Sequence, residues 1–377
     1  MPDVVIYGDT YRSPDLRHQV PIGIPDPFLY AELGGVKHIV IGSMEIQRIA
    51  EVGDYTLHPH EEFGSDDLIA GGMSYADVRH AVAVRALEAL GLRSAIVPQT
   101  FPIWLADELR ARGVELTVDN EYFNALRRVK TPAQLAGMRR AQRAAEAGMD
   151  AARDLLRRAT GNGSLQVDGE PLTVERVKEA MAEAFVRHGT TADDFIVAPG
   201  PQGAVGHDMG SGRISAGVPI VIDIWPRDNE SFCFCDMTRT FVVGEVPDEV
   251  RTWHRLCKEA LDRAISEIKD GASGRAIFDG TCEIFEAAGE KTQRTKEPGK
   301  PLAEGFFHGL GHGVGLEVHE APGMGIAAKQ PLESGDVVTV EPGCYRQGYG
   351  GVRLEDLVLV TESGAENLTR YPYDLEP

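Results

Sequence analysis

Two aspartates interrupt apolar stretches that have the pattern of buried strands. Asp223 lies in residues 218–225 (VPIVIDIW) and Asp236 in residues 232–243 (FCFCDMTRTFVV), with the turn-forming sequence PRDNES between the stretches. If the two stretches form a symmetric hairpin, the aspartates are direct cross-strand neighbours with Cβ atoms roughly 5 Å apart. Two carboxylates in an apolar setting predict either a shared proton or a bound cation.

A second pair of acids repeats this arrangement downstream. Glu341 ends residues 336–341 (DVVTVE), and Glu355 lies in residues 351–360 (GVRLEDLVLV). A hairpin centred on Gly348 places the two glutamates opposite each other, with PGCYRQGYG as the loop between the strands. Four carboxylates in this arrangement predict raised pKa values or about four compensating positive charges. Two divalent metal ions supply that charge, and paired ions are a recurring device for hydrolysis.

Residues 306–320 (FFHGLGHGVGLEVHE) alternate glycine with larger side chains and contain three of the eleven histidines. Each of the glycines would cost a helix roughly 1 kcal/mol, so the alternation predicts a strand. One face of that strand carries His308 and His312, and the other face is bare backbone that a ligand or another segment can approach. Oxygen ligands with one imidazole favour manganese, cobalt or zinc.

The elements that would position these residues fall into two parts. Up to about residue 128 the pattern alternates strands and helices, which predicts an α/β domain over residues 1–128. The predicted strands are residues 4–7, 36–42, 94–97 and 114–118, and the predicted helices are residues 44–51, 74–90 and 103–112, with residues 10–27 as a loop. In the second domain, residues 129–377, the predicted helices that flank the acid-bearing strands are residues 130–159, 174–188, 249–269 and 274–288.

The composition limits the class of protein. The net charge of −20 disfavours nucleic acid and anionic membranes as partners. No stretch approaches the roughly 18 apolar residues of a membrane helix, and the amino terminus does not have the pattern of a signal peptide. Five cysteines suggest no disulfide framework. These features predict a cytoplasmic protein.

Taken together, the motifs resemble the creatinase/methionine aminopeptidase superfamily of "pita-bread" metallopeptidases, in particular the Xaa-Pro peptidases aminopeptidase P and prolidase. The matching pieces occur in order within about residues 128–372: IVAPG at 196–200 leading to His207, ID at 222–223, DMTRT at 236–240, HGLGHGVG at 308–315, VHE at 318–320, VEPG at 340–343 and GVRLED at 351–356. The resemblance implies an α+β fold, in which a curved antiparallel sheet covered by helices forms the catalytic domain and a smaller creatinase-like α/β domain precedes it.

The resemblance also implies a site with two divalent metal ions. The implied ligands are Asp223, Asp236, His312, Glu341 and Glu355, with Asp236 and Glu355 bridging the ions. Manganese is the expected metal, with cobalt or zinc as alternatives.

The remaining site residues receive supporting roles from the same resemblance. His207 and His319 match the histidines that contact the substrate and the developing oxyanion, and Glu341 would also pass a proton to the leaving nitrogen. Arg353 and Thr238 would orient ligands, and His308 would line the pocket.

The implied activity is metal-dependent hydrolysis of the peptide bond that precedes proline, releasing the amino-terminal residue, as in an Xaa-Pro aminopeptidase. A prolidase that acts on Xaa-Pro dipeptides is the alternative, and the motifs do not separate the two. A creatinase-like amidinohydrolase or a non-catalytic binding module on the same fold is disfavoured because all five ligands are present. The expected partners are proline-containing peptides and a second copy of the chain in a homodimer.

One stretch departs from the family pattern. The family usually has glycine where Trp225 stands, and a shorter turn between the two aspartates. Since the ligands are intact, the departure predicts an altered pocket rather than lost metal binding. The alternating glycines of residues 309–315 are interpreted as keeping the space beside the metals open to a peptide.

Overall fold

The computed structural model of the protein describes residues 2–377. The chain divides between Arg127 and Arg128 into two units, one residue before the predicted boundary. None of the helices within the described residues is long and apolar enough to cross a membrane.

The amino-terminal unit contains a mixed sheet of six strands with helices between them. Its strands are β1 (Val4–Gly8), β2 (Phe28–Leu33), β3 (Val36–Ile41), β4 (Thr56–Pro59), β5 (Ser94–Val97) and β6 (Glu115–Val118). Its helices are α1 (Pro14–Gln19), α2 (Ile46–Ala50), α3 (Ser65–Ala70), α4 (Tyr75–Ala89), α5 (Ile103–Ala111) and α6 (Asn120–Arg128). The strand order is β4-β3-β2-β1-β5-β6, with β1, β2 and β3 antiparallel and the outer pairings parallel.

Helix α1 lies inside residues 10–27, so the prediction of a continuous loop there is wrong. The Ser13 hydroxyl accepts a hydrogen bond from the Leu16 N–H, and proline occupies the first turn. Leu16 is fully buried. A helix of six residues is too short to show a helical period in the sequence, which is why the pattern did not reveal it.

The carboxyl-terminal unit contains four helices and several antiparallel sheets. Its helices are α7 (Pro132–Arg158), α8 (Val174–Arg187), α9 (Asp248–Glu267) and α10 (Gly274–Ala287). Its strands are β7 (Gln166–Val167), β8 (Glu170–Pro171), β9 (Thr190–Thr191), β10 (Ile196–Pro199), β11 (Ile220–Ile224), β12 (Arg227–Asp228), β13 (Met237–Phe241), β14 (Glu304–Gly305), β15 (Gly311–Gly313), β16 (Glu320–Met324), β17 (Val337–Val340), β18 (Gly343–Arg346), β19 (Gly350–Arg353), β20 (Asp356–Val360) and β21 (Ala365–Asn367). The sheets that matter for the site have the orders β10-β11-β13, β14-β18-β19 and β16-β15-β17-β20-β21.

Helices cover both faces of the largest of these sheets. Along β17, Val337 packs into a hydrophobic cluster with α7 and α8, whereas Val338 packs into a second cluster with α9 and α10. Alternate residues of a strand point to opposite faces, so each face has its own pair of helices. Helix α7 starts where the sequence predicts, because Thr131 and Gln134 form a capping box ahead of Pro132.

The hairpin centred on Gly348 has the predicted register. Val340 pairs with Asp356 where β17 meets β20, and Gly343 pairs with Arg353 where β18 meets β19. The register is therefore confirmed, but most of the predicted PGCYRQGYG loop is strand. Glu341 and Glu355 lie between these two ladders.

The register predicted for the two aspartates is wrong by two residues. Asp223 pairs with Thr238, and Asp236 lies just before β13 rather than within it. The hairpin continues in this register, since Arg227 pairs with Phe234, so its turn is centred between Glu230 and Ser231, one residue later than predicted. Two local features define this turn: the carboxylate of Asp228 accepts from the Ser231 N–H, and Phe232 has a positive φ of 65°, which a residue other than glycine rarely adopts.

The strand predicted over the glycine-rich stretch is short. Only residues 311–313 form β15, and the side chains on either side do not share one face: Leu310 and Val314 are fully buried in different hydrophobic clusters. A Cβ atom on Gly311 would overlap the carbonyl oxygen of Thr339, and one on Gly313 would overlap that of Ala321. Gly311 and Gly313 therefore admit neighbouring backbone, and for these two the interpretation that the glycines keep space open for a peptide is wrong.

Candidate metal centre

A cavity of about 700 Å³ in the carboxyl-terminal unit brings together nearly all the residues predicted to do chemistry. Those that line it are Asp223, Asp236, His312, Glu341, Glu355, His207, His308, His319 and Arg353. Thr238 is fully buried and donates its hydroxyl hydrogen bond to Oε2 of Glu355 over 2.6 Å. The sequence motifs, spread over some 150 residues of chain, thus converge on one space.

The candidate ligands sit at the ends of strands or within a short one. Asp223 is the fourth residue of β11, Asp236 directly precedes β13, and His312 is the central residue of β15. Glu341 directly follows β17, and Glu355 directly precedes β20. Each acid is therefore fixed by a hydrogen-bonded ladder on at least one side, which limits the range of positions that its carboxylate can take.

Three of these side chains form a group whose geometry suits a metal ion. Asp236, His312 and Glu355 each offer a ligand atom, and these atoms lie within 4.8 Å of one another. The Nε2 atom of His312 is 3.8 Å from Oδ2 of Asp236 and 3.6 Å from Oε1 of Glu341. Both distances are too long for a hydrogen bond, so the nitrogen faces these oxygens without a proton between them.

The tautomer of His312 leaves that nitrogen available as a ligand. Its Nδ1 atom donates to the carbonyl oxygen of Gly313 over 3.0 Å, so the proton of the neutral ring is on Nδ1 and the lone pair is on Nε2. Burial, reinforced by His319, lowers the pKa of His312 to about 4. The ring is therefore neutral near pH 7, which is the form that binds metals.

The pKa values of the buried carboxyl groups are strongly shifted. Burial raises the pKa of Asp236 and of Glu355 well above the usual range, and the neighbouring carboxylates raise both further. Burial raises the pKa of Glu341 to about 8, with Arg353 acting in the opposite direction. Among the described residues, Oδ1 of Asp236 is buried without a hydrogen-bond partner. A buried oxygen without a donor, beside other acids, is what a cation site requires.

Arg353 is the positive group that faces these acids. Its Nη2 donates to Oδ2 of Asp223, and its Nε donates to the Thr238 hydroxyl over 3.3 Å. One guanidinium faces four carboxyl groups, so if all four are ionised their negative charge exceeds the positive charge that lines the cavity among the described residues. Divalent cations would compensate it, and the donor set of carboxylate oxygens plus one imidazole nitrogen fits manganese, cobalt or zinc.

Tyr345 is a site residue that the sequence interpretation missed. Its hydroxyl donates to Nε2 of His308 over 2.8 Å and accepts a hydrogen bond from Nη1 of Arg353 over 2.9 Å. It lies in β18, which was predicted as loop; the alternation of GCYR could have indicated a strand. His308 donates from Nδ1 to the carbonyl oxygen of Gly309, so both of its ring nitrogens are engaged.

Arg239 is a second supporting residue without a predicted role. It is 1% exposed and donates from Nη1 to the carbonyl oxygens of Thr238 and Glu355, each over 2.8 Å. Its Nη2 contacts Oδ1 of Asp356 at 3.0 Å. These bonds tie the start of β13 to the start of β20 and thereby hold Asp236 and Glu355 side by side.

The two other predicted histidines also face the cavity. The ring centroids of His312 and His319 are 4.3 Å apart. Burial, with a contribution from His207, lowers the pKa of His319, so this ring is neutral as well. The cavity thus has an acidic part that suits cations, with neutral imidazoles that can donate or accept hydrogen bonds beside it.

Comparison with known proteins gives consistent results for this unit. Residues 136–362 match metallopeptidase family M24. An Xaa-Pro dipeptidase from Pyrococcus furiosus is 37% identical over 185 residues, which cover 49% of this chain and 49% of that protein. The aligned part of the chain therefore spans about half the length of this curated relative. The predicted resemblance to the creatinase/methionine aminopeptidase superfamily, with its Xaa-Pro peptidases, is confirmed.

Solved structures match over nearly the whole chain. The prolidase from Pyrococcus furiosus has a TM-score of 0.77 at 23% identity, covering 99% of this chain and 97% of that one. The X-Pro aminopeptidase from Thermotoga maritima has a TM-score of 0.78 at 20% identity, also covering 99% and 97%. At these identities the likeness shows the fold, and it confirms the predicted α+β pita-bread class.

Proposed function

Because the chain belongs to metallopeptidase family M24, we propose that it hydrolyses the peptide bond that precedes proline. The observation that carries this proposal is the convergence of four carboxylates and the neutral Nε2 of His312 on one cavity. The names of the Xaa-Pro dipeptidase and prolidase relatives supply the substrate class.

The ligands in this proposal are Asp223, Asp236, His312, Glu341 and Glu355, with Asp236 and Glu355 shared between two divalent ions. The unpartnered Oδ1 of Asp236 and the surplus negative charge support the assignment. When bound, such ions polarise a carbonyl group and provide a nucleophilic water at neutral pH. Manganese is the first choice, and cobalt or zinc would suit the same donors.

Glu341 is the proposed proton carrier. Its side chain is 19% exposed, compared with 6% for Asp236, so it is open to the cavity. The raised pKa of Glu341 supports this role, because burial favours the protonated carboxyl group. A carboxyl group that is open to the cavity and can exist with or without its proton can accept a proton from water and deliver it to the leaving nitrogen of proline.

His207 and His319 are the proposed groups that hold the substrate carbonyl and stabilise its negative charge as the bond breaks. His308 has a different role, because Gly309 and Tyr345 already occupy its two ring nitrogens. It shapes the wall of the cavity and, through Tyr345, supports Arg353. Arg353 and Thr238 hold Asp223 and Glu355 in place.

Dipeptides fit this proposal at least as well as longer peptides. The Pyrococcus furiosus relative, at 37% identity, is an Xaa-Pro dipeptidase, whereas the likeness to an X-Pro aminopeptidase at 20% identity concerns the fold. The experiment therefore tests both the predicted aminopeptidase activity and the prolidase alternative. The proposal has three further parts: residues 1–128 form a creatinase-like domain, the protein is a homodimer, and it is located in the cytoplasm.

The experiment uses the purified full chain with EDTA treatment followed by addition of manganese, cobalt or zinc. Release of the first residue from Ala-Pro and from Ala-Pro-Gly is measured, with creatine as the substrate of the amidinohydrolase alternative and Ala-Ala as a control without proline. We expect metal-dependent cleavage of at least one proline peptide and none of creatine. Full activity in EDTA with no bound divalent ion would refute the metal mechanism, and cleavage of Ala-Ala alone would refute the substrate class.

A further inference from the structure

Trp225 forms part of the cavity wall beside the candidate metal ligands. It follows β11 two residues after Asp223, and both residues line the cavity. The indole is only partly buried and packs against the hydrophobic cluster of α7 and α8, as do Phe234 and Leu316. A large flat side chain therefore occupies space directly next to an acid of the site.

The turn that carries this tryptophan, residues 225–235, is anchored to α7. Asp228 is 2% exposed and accepts hydrogen bonds from Nε and Nη2 of Arg140 over 2.9 and 2.8 Å. The backbone N–H and the hydroxyl of Ser231 each donate to the same carboxylate over 2.7 Å. A Cβ atom on Gly137 would overlap the Ser231 hydroxyl, so the turn lies directly against the helix.

Further contacts hold the other side of the turn. Arg227 and Asp228 pair with β9, and the Phe234 N–H donates to the carbonyl oxygen of Gly315 over 2.8 Å. Gly315 opens the loop that leads to His319, so the turn and this loop are connected. A wall fixed on both sides cannot move aside to admit a larger group at low cost.

We propose that Trp225 determines substrate specificity by limiting the size of the substrate group that lies beside Asp223. This inference rests on the proposed function for its choice of substrates. The group is either the side chain of the residue before proline or a residue that follows proline, and in the second case Trp225 restricts the enzyme to dipeptides.

The test compares the wild-type protein with Trp225→Gly and with the milder Trp225→Phe. The first substrate pair, Gly-Pro and Leu-Pro, varies the residue before proline; the second pair, Ala-Pro and Ala-Pro-Gly, adds a residue after it. We expect Trp225→Gly to raise the relative kcat/KM for the larger member of one pair by about tenfold, the scale on which a pocket discriminates a few methylene groups. Trp225→Phe is expected to shift the same ratio less.

Phe234→Ala is the matched control. Phe234 belongs to the same turn and packs on the same cluster but does not line the cavity. It should lower the stability of the protein and leave both substrate ratios unchanged. Equal ratios in wild type and both Trp225 variants, or an equal shift in Phe234→Ala, would overturn the inference.

A second measurement does not depend on turnover. Calorimetry gives the affinities of the same four peptides for the metal-free proteins, and the affinity ratios are compared between wild type and variants. If the wild type cleaves none of the peptides, the proposed function fails, yet a change in the affinity ratio in Trp225→Gly still supports the role of Trp225 in the cavity. If the wild type cleaves them and neither the kinetic nor the affinity ratio changes, the inference fails while the proposed function stands.

Discussion

The Nζ atom of Lys130 lies 2.8 Å from Oε2 of Glu320, and both side chains are 3% exposed. The other oxygen of Glu320 accepts hydrogen bonds from the backbone N–H groups of Leu316 and Glu317, over 2.9 and 3.1 Å. The carboxylate thus closes the loop that ends at His319, and Lys130 balances the charge of that carboxylate.

Replacement of Lys130 by methionine should therefore both destabilise the protein and impair catalysis. Loss of one partner of a buried ion pair costs about 3–5 kcal/mol, because the other charge stays buried and loses the attraction of its former partner. Urea unfolding measures this loss, and kcat should fall as the loop loosens. Lys300→Met is the control: Lys300 and Glu297 are 71% and 70% exposed, and such pairs contribute about 1 kcal/mol or less. Equal losses in the two variants would contradict this account.

Gly311→Ala should destabilise the protein, because the new methyl group would overlap the backbone carbonyl of Thr339. Overpacking of this kind costs about 1–3 kcal/mol, and here β15 must shift together with His312. We expect a lower midpoint of urea unfolding and a weaker affinity for manganese. Gly323→Ala is the matched control and should have little effect. Gly323 pairs with His312 in the neighbouring strand and has open space at its Cβ position. A loss of stability at Gly323 as large as that at Gly311 would argue against the steric explanation.

This glycine series shows what the sequence could and could not predict. The alternation correctly indicated a place where something comes close to the backbone, since Gly311 admits the carbonyl of Thr339. The identity of that neighbour depends on which strands pair, and this is decided by packing far along the chain. At Gly311 the neighbour is therefore backbone and not the expected ligand.

The two hairpins show the same limit. The register about Gly348 was predictable because the chain returns directly, so that Val340 pairs with Asp356. The register of Asp223 was not, because the turn closes one residue later than a symmetric reading predicts, with Phe232 at a positive φ that its residue type does not indicate. Residue types and motifs thus named the side chains that share the cavity, while the exact pairings and the support from Tyr345 required the structure.

Asp236→Asn should abolish metal binding at the proposed bridging position without unfolding the protein. The amide has the same shape, and it removes a charge that burial and neighbouring carboxylates disfavour. We expect the bound metal per chain to fall, Xaa-Pro cleavage to drop at least 100-fold, and the metal-free protein to keep its melting temperature. Asp154→Asn, at a side chain that is 74% exposed, is the control and should leave all three unchanged. Activity of Asp236→Asn near that of wild type would show that the ligand assignment is wrong.

The stability of the metal-free protein should fall as the pH rises above 6.5. Burial raises the pKa of Glu341 from 4.5 to about 8, and the pKa values of Asp236 and Glu355 are also raised. A carboxyl group with a higher pKa in the folded state stabilises fully below its unfolded pKa, and that stabilisation is lost as the pH rises through the folded value.

His312 has the opposite effect at lower pH. Burial lowers its pKa from 6.5 to about 4, so the folded protein loses stability as the pH falls through this range. The window from pH 6.5 to about 8 therefore isolates the carboxyl groups. Urea unfolding in EDTA across this window should show decreasing stability, and Glu341→Gln should flatten the slope. Saturating manganese should stabilise the protein more at the upper end, because binding then displaces fewer protons. Metal-free stability that stays constant or increases across the window would contradict the buried, mutually repelling arrangement of these acids.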